Sequence, residues 1–122
     1  MRILLIDDSR TMRHLVKLVI AALGDHAVEE AANAFDGLIR CRDLKPELVL
    51  VDGEMPGMSG LEFVHAFRAD HPHTPVLVIS SDPDHQTKMD ALSAGANAVI
   101  VKPFTPDLLS QRISELLETQ PV

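Results

Sequence analysis

Four short runs of apolar residues recur along this chain, and inside them no polar residue alternates with the apolar ones. A strand with one face in water would show such an alternation. Uninterrupted apolar runs bounded by turn residues are typical of strands buried on both faces, as in a parallel sheet covered by helices. The runs are Ile3–Ile6, Leu48–Val51, Val76–Ile79 and Ala98–Val101, and a weaker segment at about Ala27–Ala31 is the candidate for a fifth strand near an edge.

Helical patterns lie between these runs. In the first, apolar residues recur at the spacing of one helix face, and Gly24 stands at the expected end. In the second, Asn33 is the predicted N-cap and the helix runs to about Leu44. The spacing in the first helix is carried by Met12, Leu15, Val16, Val19 and Leu23, and the second helix is predicted to turn Phe35, Leu38 and Ile39 inward.

The three later helices carry signals for where they begin and end. Ser59 or Gly60 opens the third, Asp82-Pro83-Asp84 begins the fourth, and Gly95 ends the fourth. Thr105-Pro106-Asp107 combines an N-cap, a first-turn proline and an acid that matches the helix dipole, and it opens the last helix. The inner faces are predicted to carry Leu61, Val64 and Phe67 in the third helix and Leu109, Ile113, Leu116 and Leu117 in the last.

Five alternations of strand and helix predict an α/β fold of the flavodoxin-like, doubly wound (βα)5 type, with a five-stranded parallel sheet in the order 2-1-3-4-5. Right-handed crossovers place helices on both faces of such a sheet. The length of 122 residues favours a single domain over residues 1–122. In this strand order the functional crevice lies at the carboxyl ends of strands 1 and 3.

Acidic residues stand at those two strand ends. Asp7 and Asp8 directly follow the first run, and Asp52 directly follows the Leu48–Val51 run. Two like charges about 4 Å apart repel by roughly 4 kcal/mol at an effective dielectric constant of ~20. A hard divalent cation, which takes oxygen ligands, is the simplest compensation. The sequence therefore predicts a metal site at this edge of the sheet.

A hydroxyl and an ammonium group are predicted at the same edge. The fourth strand ends in Ser80-Ser81, and the fifth ends in Lys102-Pro103-Phe104. Phosphoryl transfer depends mostly on positioning and charge neutralisation, and a carboxylate can act as the nucleophile to form an acyl phosphate. Asp52, Ser80 and Lys102 are therefore the candidate reacting, hydrogen-bonding and charge-neutralising groups of a metal-dependent phosphoryl-acceptor site.

These motifs, taken in order, resemble those of the bacterial response-regulator receiver domain. The likeness covers essentially the whole chain, and the order and length are similar to those of single-domain chemotaxis-type receivers. It is carried by Leu5-Ile6-Asp7-Asp8-Ser9, by the segment from Val51-Asp52 to Ser59-Gly60, by Ser80 and by Val101-Lys102-Pro103-Phe104.

The resemblance implies a role for each matching residue. Asp52 would accept a phosphoryl group from a sensor histidine kinase or a phosphotransfer protein. Mg²⁺ would be held by Asp8, Asp52 and the backbone carbonyl of Glu54, with Asp7 acting through a metal-bound water. Ser80 and Lys102 would take the catalytic hydroxyl and lysine positions. The resemblance also implies a cis Lys102-Pro103 bond, and a protein target bound through the face of the fourth helix, fifth strand and fifth helix.

Three positions depart from the usual pattern of the resembled family. Val99 stands where an aromatic switch residue is frequent, so that no ring is available there to change rotamer. Glu54 lies two residues beyond Asp52, and Asp82 lies two residues beyond Ser80. Both acids are more typical of a loop surface, but the resemblance places them beside the phosphoryl group, where they would change its chemistry in a direction that the sequence does not give.

Composition limits the remaining function classes. The net charge is −7 with no Lys/Arg cluster in the sequence, which argues against direct nucleic-acid binding. No signal peptide or membrane-spanning run is apparent, and the single cysteine cannot form an internal disulfide, so a cytoplasmic location is expected. Pro121 could begin a linker, and a weak homodimer through the fourth and fifth helices is left open.

Several alternatives remain. The chain could be a receiver domain taken from a larger, for example transcriptional, regulator. It could also be an interaction module that is never phosphorylated. A hydrolase with an aspartyl nucleophile fits less well, because such enzymes place a second acid two residues after the nucleophile on the first strand and carry a cap insertion. The domain is thus expected to be a phosphoacceptor rather than an enzyme with ordinary substrate turnover.

Overall fold

A computed structural model describes residues 1–118, and strands and helices alternate throughout them. Each predicted strand is present, with bounds within one residue of those predicted. Residues 119–122, which include the predicted linker at Pro121, lie outside the described residues. The elements are β1 Arg2–Ile6, α1 Arg10–Ala21, β2 Ala27–Ala31, α2 Ala34–Leu44, β3 Leu48–Asp52, α3 Gly60–Asp70, β4 Val76–Ser80, α4 His85–Ala94, β5 Ala98–Val101 and α5 Pro106–Glu118.

The five strands form one sheet in the order β2-β1-β3-β4-β5, and every neighbouring pair is parallel. Ile6 of β1 lies opposite Val51 of β3, so that the next residues in each strand direction, Asp7 and Asp52, become neighbours. In β4, Ser80 lies opposite Val101 of β5. The predicted fold class is therefore confirmed, and the register brings the polar strand ends to one edge.

Both faces of the sheet are buried, which is why its strands lack polar alternation. Successive β1 residues supply opposite faces: Leu4 and Ile6 pack with residues of α2, α3 and α4, whereas Ile3 and Leu5 pack with residues of α1 and α5. The predicted inner face of α5 is buried at Leu109, Ile113 and Leu116, and Leu117 packs against the same cluster. No helix within residues 1–118 is long and apolar enough to cross a membrane.

The predicted inner face of α2 is wrong at two of its three residues. Phe35 and Ile39 are 57% and 60% exposed, whereas Leu38 is partly buried. The buried face consists of smaller residues, Ala34, Gly37 and Cys41. An added Cβ at Gly37 would lie 2.5 Å from Ile6 Cδ1, so α2 packs too closely on β1 for large side chains to fit between them.

In α1, Leu15 shares the apolar spacing of the buried residues but is itself 40% exposed. Val16, Val19 and Ile20 are the buried residues of this helix.

The predicted caps position the loops at the functional edge. Ser59 accepts a hydrogen bond from the Glu62 N–H and forms a capping box at the start of α3. Asp84 caps α4, and Gly95, with φ of +119°, ends it. The Thr105 hydroxyl accepts from the Leu108 N–H at the start of α5. Each helix start at this edge is therefore fixed by a local side-chain contact.

We expect Gly60→Ala to be strongly destabilising, because α3 begins against the backbone of the acidic loop. A Cβ at Gly60 would overlap the Asp52 carbonyl oxygen and would lie 2.7 Å from Gly53 Cα. Relieving such an overlap moves the backbone, at a cost of about 2 kcal/mol or more. Gly53→Ala is the matched control, since its added methyl meets nothing closer than 3.4 Å. Urea unfolding measures both, and equal stability of the two variants would contradict the expectation.

Candidate functional site

Three carboxylates meet at the carboxyl ends of β1 and β3. Asp7, Asp8 and Asp52 each offer one oxygen atom, and these atoms lie within 4.8 Å of one another. Asp7 and Asp52 are only 1% and 5% exposed, whereas Asp8 is exposed to solvent. The predicted convergence of acids is therefore confirmed, with two of the three charges held away from water.

Burial makes the ionised form of this cluster costly. It raises the pKa of Asp52 to about 6, and the nearby charges of Asp7 and Glu54 act in the same direction. The Glu54 N–H donates to Asp52 Oδ1 at 3.0 Å and opposes the rise, as does the charge of Lys102. Burial likewise raises the pKa of Asp7, although its Oδ1 accepts a hydrogen bond from the Ser9 N–H.

One oxygen atom of the acidic cluster indicates that the cluster is suited to binding a cation. Asp7 Oδ2 is buried and has no hydrogen-bond partner within residues 1–118. An unpartnered buried carboxylate oxygen beside two further carboxylates matches the all-oxygen ligand sets of hard divalent cations. The acidic cluster is thus compatible with Mg²⁺. The Glu54 backbone carbonyl, the further ligand implied by the resemblance, stays a prediction.

Lys102 reaches the same edge from the end of β5. Its Nζ lies 3.6 Å from Asp52 Oδ2, with the lysine side chain 24% exposed. The Lys102 N–H donates to the Ser80 carbonyl oxygen at 2.7 Å, which ties the ends of β4 and β5 together. The Lys102-Pro103 bond is cis, as the resemblance implied.

Ser80 contacts an acid that was not predicted to bond it. The Ser80 hydroxyl is buried and donates to Glu54 Oε1 at 2.9 Å. The same oxygen accepts from the Ser81 N–H at 2.8 Å, the Ser81 hydroxyl at 3.0 Å and the Asp82 N–H at 3.2 Å. Sequence reasoning missed Ser81, whose only signal was its place beside Ser80 at a strand end.

The two acids beyond Asp52 and Ser80 have different surroundings. The Asp82 carboxylate accepts from the Asp84 N–H at 3.0 Å and the Thr87 hydroxyl at 2.7 Å, and these bonds lower the pKa of Asp82. Asp82 therefore faces the start of α4. The Glu54 carboxylate instead contacts the turn that follows Ser80.

Arg13 is a second residue that sequence reasoning missed. Its Nη1 donates to the Asp7 carbonyl oxygen at 2.6 Å, and its Nε donates to Glu30 Oε1 at 3.0 Å. The arginine thus supports the backbone that carries the acid pair.

Val99 is half-buried and packs against the core on the α3 and α4 side, at the position where the resembled family frequently has an aromatic ring.

Comparison with known proteins is consistent with this geometry. Residues 3–114 match the family model described as the response regulator receiver domain. The chain is 35% identical over 120 residues to chemotaxis protein CheY-3 of Vibrio cholerae, covering 97% of this chain and 92% of that protein. It is 36% identical over 124 residues to the chemotaxis protein CheY homolog of Campylobacter jejuni, covering 98% and 94%.

Similarity to a solved structure extends the likeness to receiver domains from the sequence to the fold. The receiver domain of NtrX from Brucella abortus superimposes with a TM-score of 0.90 at 32% identity, covering 97% of this chain and 99% of that one. The family match, the full-length relatives and the acidic sheet edge agree, and the chain belongs to the response-regulator receiver domain family, with proteins of the CheY type among its relatives.

Proposed function

We propose that this chain is a phosphorylation-dependent signalling switch in which Asp52 accepts a phosphoryl group in the presence of Mg²⁺. The observation that carries this proposal is the meeting of three carboxylates and one lysine at the carboxyl edge of the sheet. Asp8, Asp52 and the Glu54 carbonyl would hold the ion, with Asp7 acting through water. When bound, the ion supplies positive charge that neutralises the carboxylates and the oxygens of the incoming phosphoryl group.

The protein's own residues then have distinct tasks. An Asp52 carboxylate oxygen attacks phosphorus, and the bond from phosphorus to the donor atom breaks, leaving an acyl phosphate on Asp52. The donor atom is a histidine nitrogen in a phosphohistidine or an oxygen in acetyl phosphate. Lys102, already 3.6 Å from Asp52, places an ammonium charge beside the transferred group. Ser80 supplies a hydroxyl donor at the neighbouring strand end.

The partners follow from this role. A sensor histidine kinase or a phosphotransfer protein would supply the phosphoryl group, and a protein target would bind the face formed by α4, β5 and α5. Ala91 is the only α4 residue that is buried, and most of the others are exposed, so this helix offers a large surface to a partner. Phosphorylation acts on such a face only by stabilising one of two conformations more than the other. Chemotaxis proteins among the relatives support a signalling role of this kind.

We propose residues 1–122 as one receiver domain in the cytoplasm, without direct nucleic-acid binding. A receiver domain within a longer regulator is a second candidate, favoured by the likeness to NtrX of Brucella abortus, because the match covers 97% of this chain but only 27% of the NtrX chain.

Acetyl phosphate tests the proposal directly. With Mg²⁺, we expect the intact protein to gain the mass of one phosphoryl group, and peptide mapping to place it on Asp52. EDTA should prevent the gain. A protein that neither binds Mg²⁺ nor gains mass would instead be an interaction module that is never phosphorylated. Rapid release of phosphate without any detectable phosphorylated protein would indicate a hydrolase.

We expect Asp8→Asn to weaken Mg²⁺ binding by roughly tenfold or more, since even residues outside the ligand set commonly change metal affinity by that amount. Isothermal titration calorimetry is the suitable measurement, because the chain has no Trp or Tyr to report binding by fluorescence. Asp25→Asn is the matched control. Asp25 is an exposed acid in the loop before β2, at the amino ends of the strands and therefore opposite the acidic cluster. Equal Mg²⁺ affinity of the wild type and Asp8→Asn would contradict the assignment.

A further inference from the structure

The Glu54 carboxylate is bound as an anion by the turn between β4 and α4. One of its oxygens, Oε1, accepts four hydrogen bonds: from the Ser80 hydroxyl, from the N–H and hydroxyl of Ser81, and from the Asp82 N–H, at 2.8–3.2 Å. Successive N–H groups of a turn form a concave binding site for anions. The donors are therefore arranged for an anionic oxygen, and Glu54 supplies it.

These donors lie beside the acceptor carboxylate. Asp52 pairs with Ile79 in the sheet, which places Ser80 one residue further along the neighbouring strand. The Glu54 N–H donates to Asp52 Oδ1 at 3.0 Å, so the backbone of Glu54 is held against the same carboxylate. A phosphoryl group on Asp52 would bring further anionic oxygens into the space next to this turn.

We propose that the Glu54 side chain is an internal anion occupying the donors that receive the phosphoryl group, and that phosphoryl transfer to Asp52 requires its displacement. The inference rests on the proposed function. A serine hydroxyl has one hydrogen to donate, so Ser80 cannot donate to Glu54 and to a phosphoryl oxygen at the same time. Glu54 is thus a positioning residue that slows transfer by holding Ser80 and the turn.

Shortening the side chain at position 54 distinguishes two explanations of slow transfer, the contact of Glu54 with the turn and simple charge repulsion. Glu54→Asp keeps the negative charge but withdraws it by one methylene, about 1.5 Å, which is enough to break hydrogen bonds of normal length. Glu54→Ala removes both charge and contact. If contact with the turn is what slows transfer, the two variants behave alike. If charge alone slows it, Glu54→Asp behaves like the wild type.

The experiment compares initial rates of phosphoryl incorporation from acetyl phosphate with Mg²⁺, followed by intact-protein mass spectrometry. We expect both variants to incorporate the group roughly tenfold faster than the wild type, the factor expected for loss of one good charged hydrogen bond. Beryllofluoride binding by calorimetry is the second measurement and needs no turnover. It should tighten by a similar factor. Glu29→Gln, which removes an exposed charge on β2, is the control and should change neither value.

The outcomes separate the two proposals. If the wild type incorporates the phosphoryl group and neither Glu54 variant incorporates it faster, the role of Glu54 is overturned and the proposed function stands. Acceleration in Glu54→Ala alone would overturn the displacement of a bound side chain in favour of charge repulsion. Failure of every folded protein, the wild type included, to take up phosphoryl or beryllofluoride would overturn the proposed function and this inference with it. Circular dichroism confirms that each variant is folded.

Discussion

We expect Asp52→Asn to abolish phosphoryl acceptance and, without divalent metal at neutral pH, to make the folded protein more stable than the wild type. The first effect follows because the amide cannot form the acyl phosphate. The second follows because Asp52 is buried beside Asp7, and its ionised form is disfavoured. A substitution that removes function thereby removes an electrostatic cost of the folded state.

The pH dependence has a definite sign. In the folded state the pKa of Asp52 is raised from 3.8 to about 6, so between these values the folded protein binds more protons than the unfolded chain. Stability is then greatest below pH 3.8 as far as this group is concerned, falls as the pH rises through about 6, and stays low above it. The cost in the metal-free protein at pH 7 is as much as about 3 kcal/mol.

Urea unfolding in EDTA at several pH values between 4 and 8 measures both the gain and its pH dependence. Asp52→Asn should be more stable than the wild type at pH 7 by about 1–3 kcal/mol. Its stability should decline less between pH 4 and 6, and the part of the decline that is due to Asp7 should remain. Asp25→Asn, an exposed acid, should leave the wild-type profile unchanged. A less stable Asp52→Asn protein at pH 7, or an unchanged decline, would show that the cluster is not strained without metal.

The second large effect is expected for Arg68→Ala, which should lower the free energy of unfolding by about 3 kcal/mol. The guanidinium donates to the carbonyl oxygens of Gly95, His71 and Thr74 and to Asn97 Oδ1, at 2.6–2.9 Å. Asn97 Oδ1 also accepts the Val76 N–H, so the network reaches the start of β4. One side chain thus joins the end of α3 to the turn between α4 and β5.

Thermal unfolding should show a decrease in Tm on the order of 10 °C for Arg68→Ala. Arg68→Lys should recover only part of it, because a single ammonium cannot replace a planar group that bonds several carbonyls. Arg112→Ala is the matched control, since its ion pair with Glu115 is exposed on both sides and contributes little. A Tm for Arg68→Ala equal to that of Arg112→Ala would mean that water replaces the guanidinium without loss.

Most of the site could be predicted because it depends on strand ends. Each predicted site residue follows an apolar run, and the parallel strands bring the carboxyl ends of these runs to one edge of the sheet. The residues are Asp7, Asp8, Asp52, Ser80 and Lys102. The contact of Glu54 with the Ser80 turn could not be predicted. It depends on the direction of a side chain across a loop, and its partners lie 26 to 28 residues further along the chain.

The sequence by itself determined the strands, the order of elements and the residues at the functional edge, because buried strands require uninterrupted apolar runs and chain direction fixes which residue comes last. The tertiary structure alone decided three features. These are the buried face of α2, the hydrogen-bond partners of Arg68, and the contact of the Glu54 side chain with the donors of the turn that follows β4. The close approach of α2 to β1 selects Gly37 over Phe35, and the Arg68 bond to Gly95 spans 27 residues. Such contacts depend on the distance between packed segments, which local residue patterns do not encode.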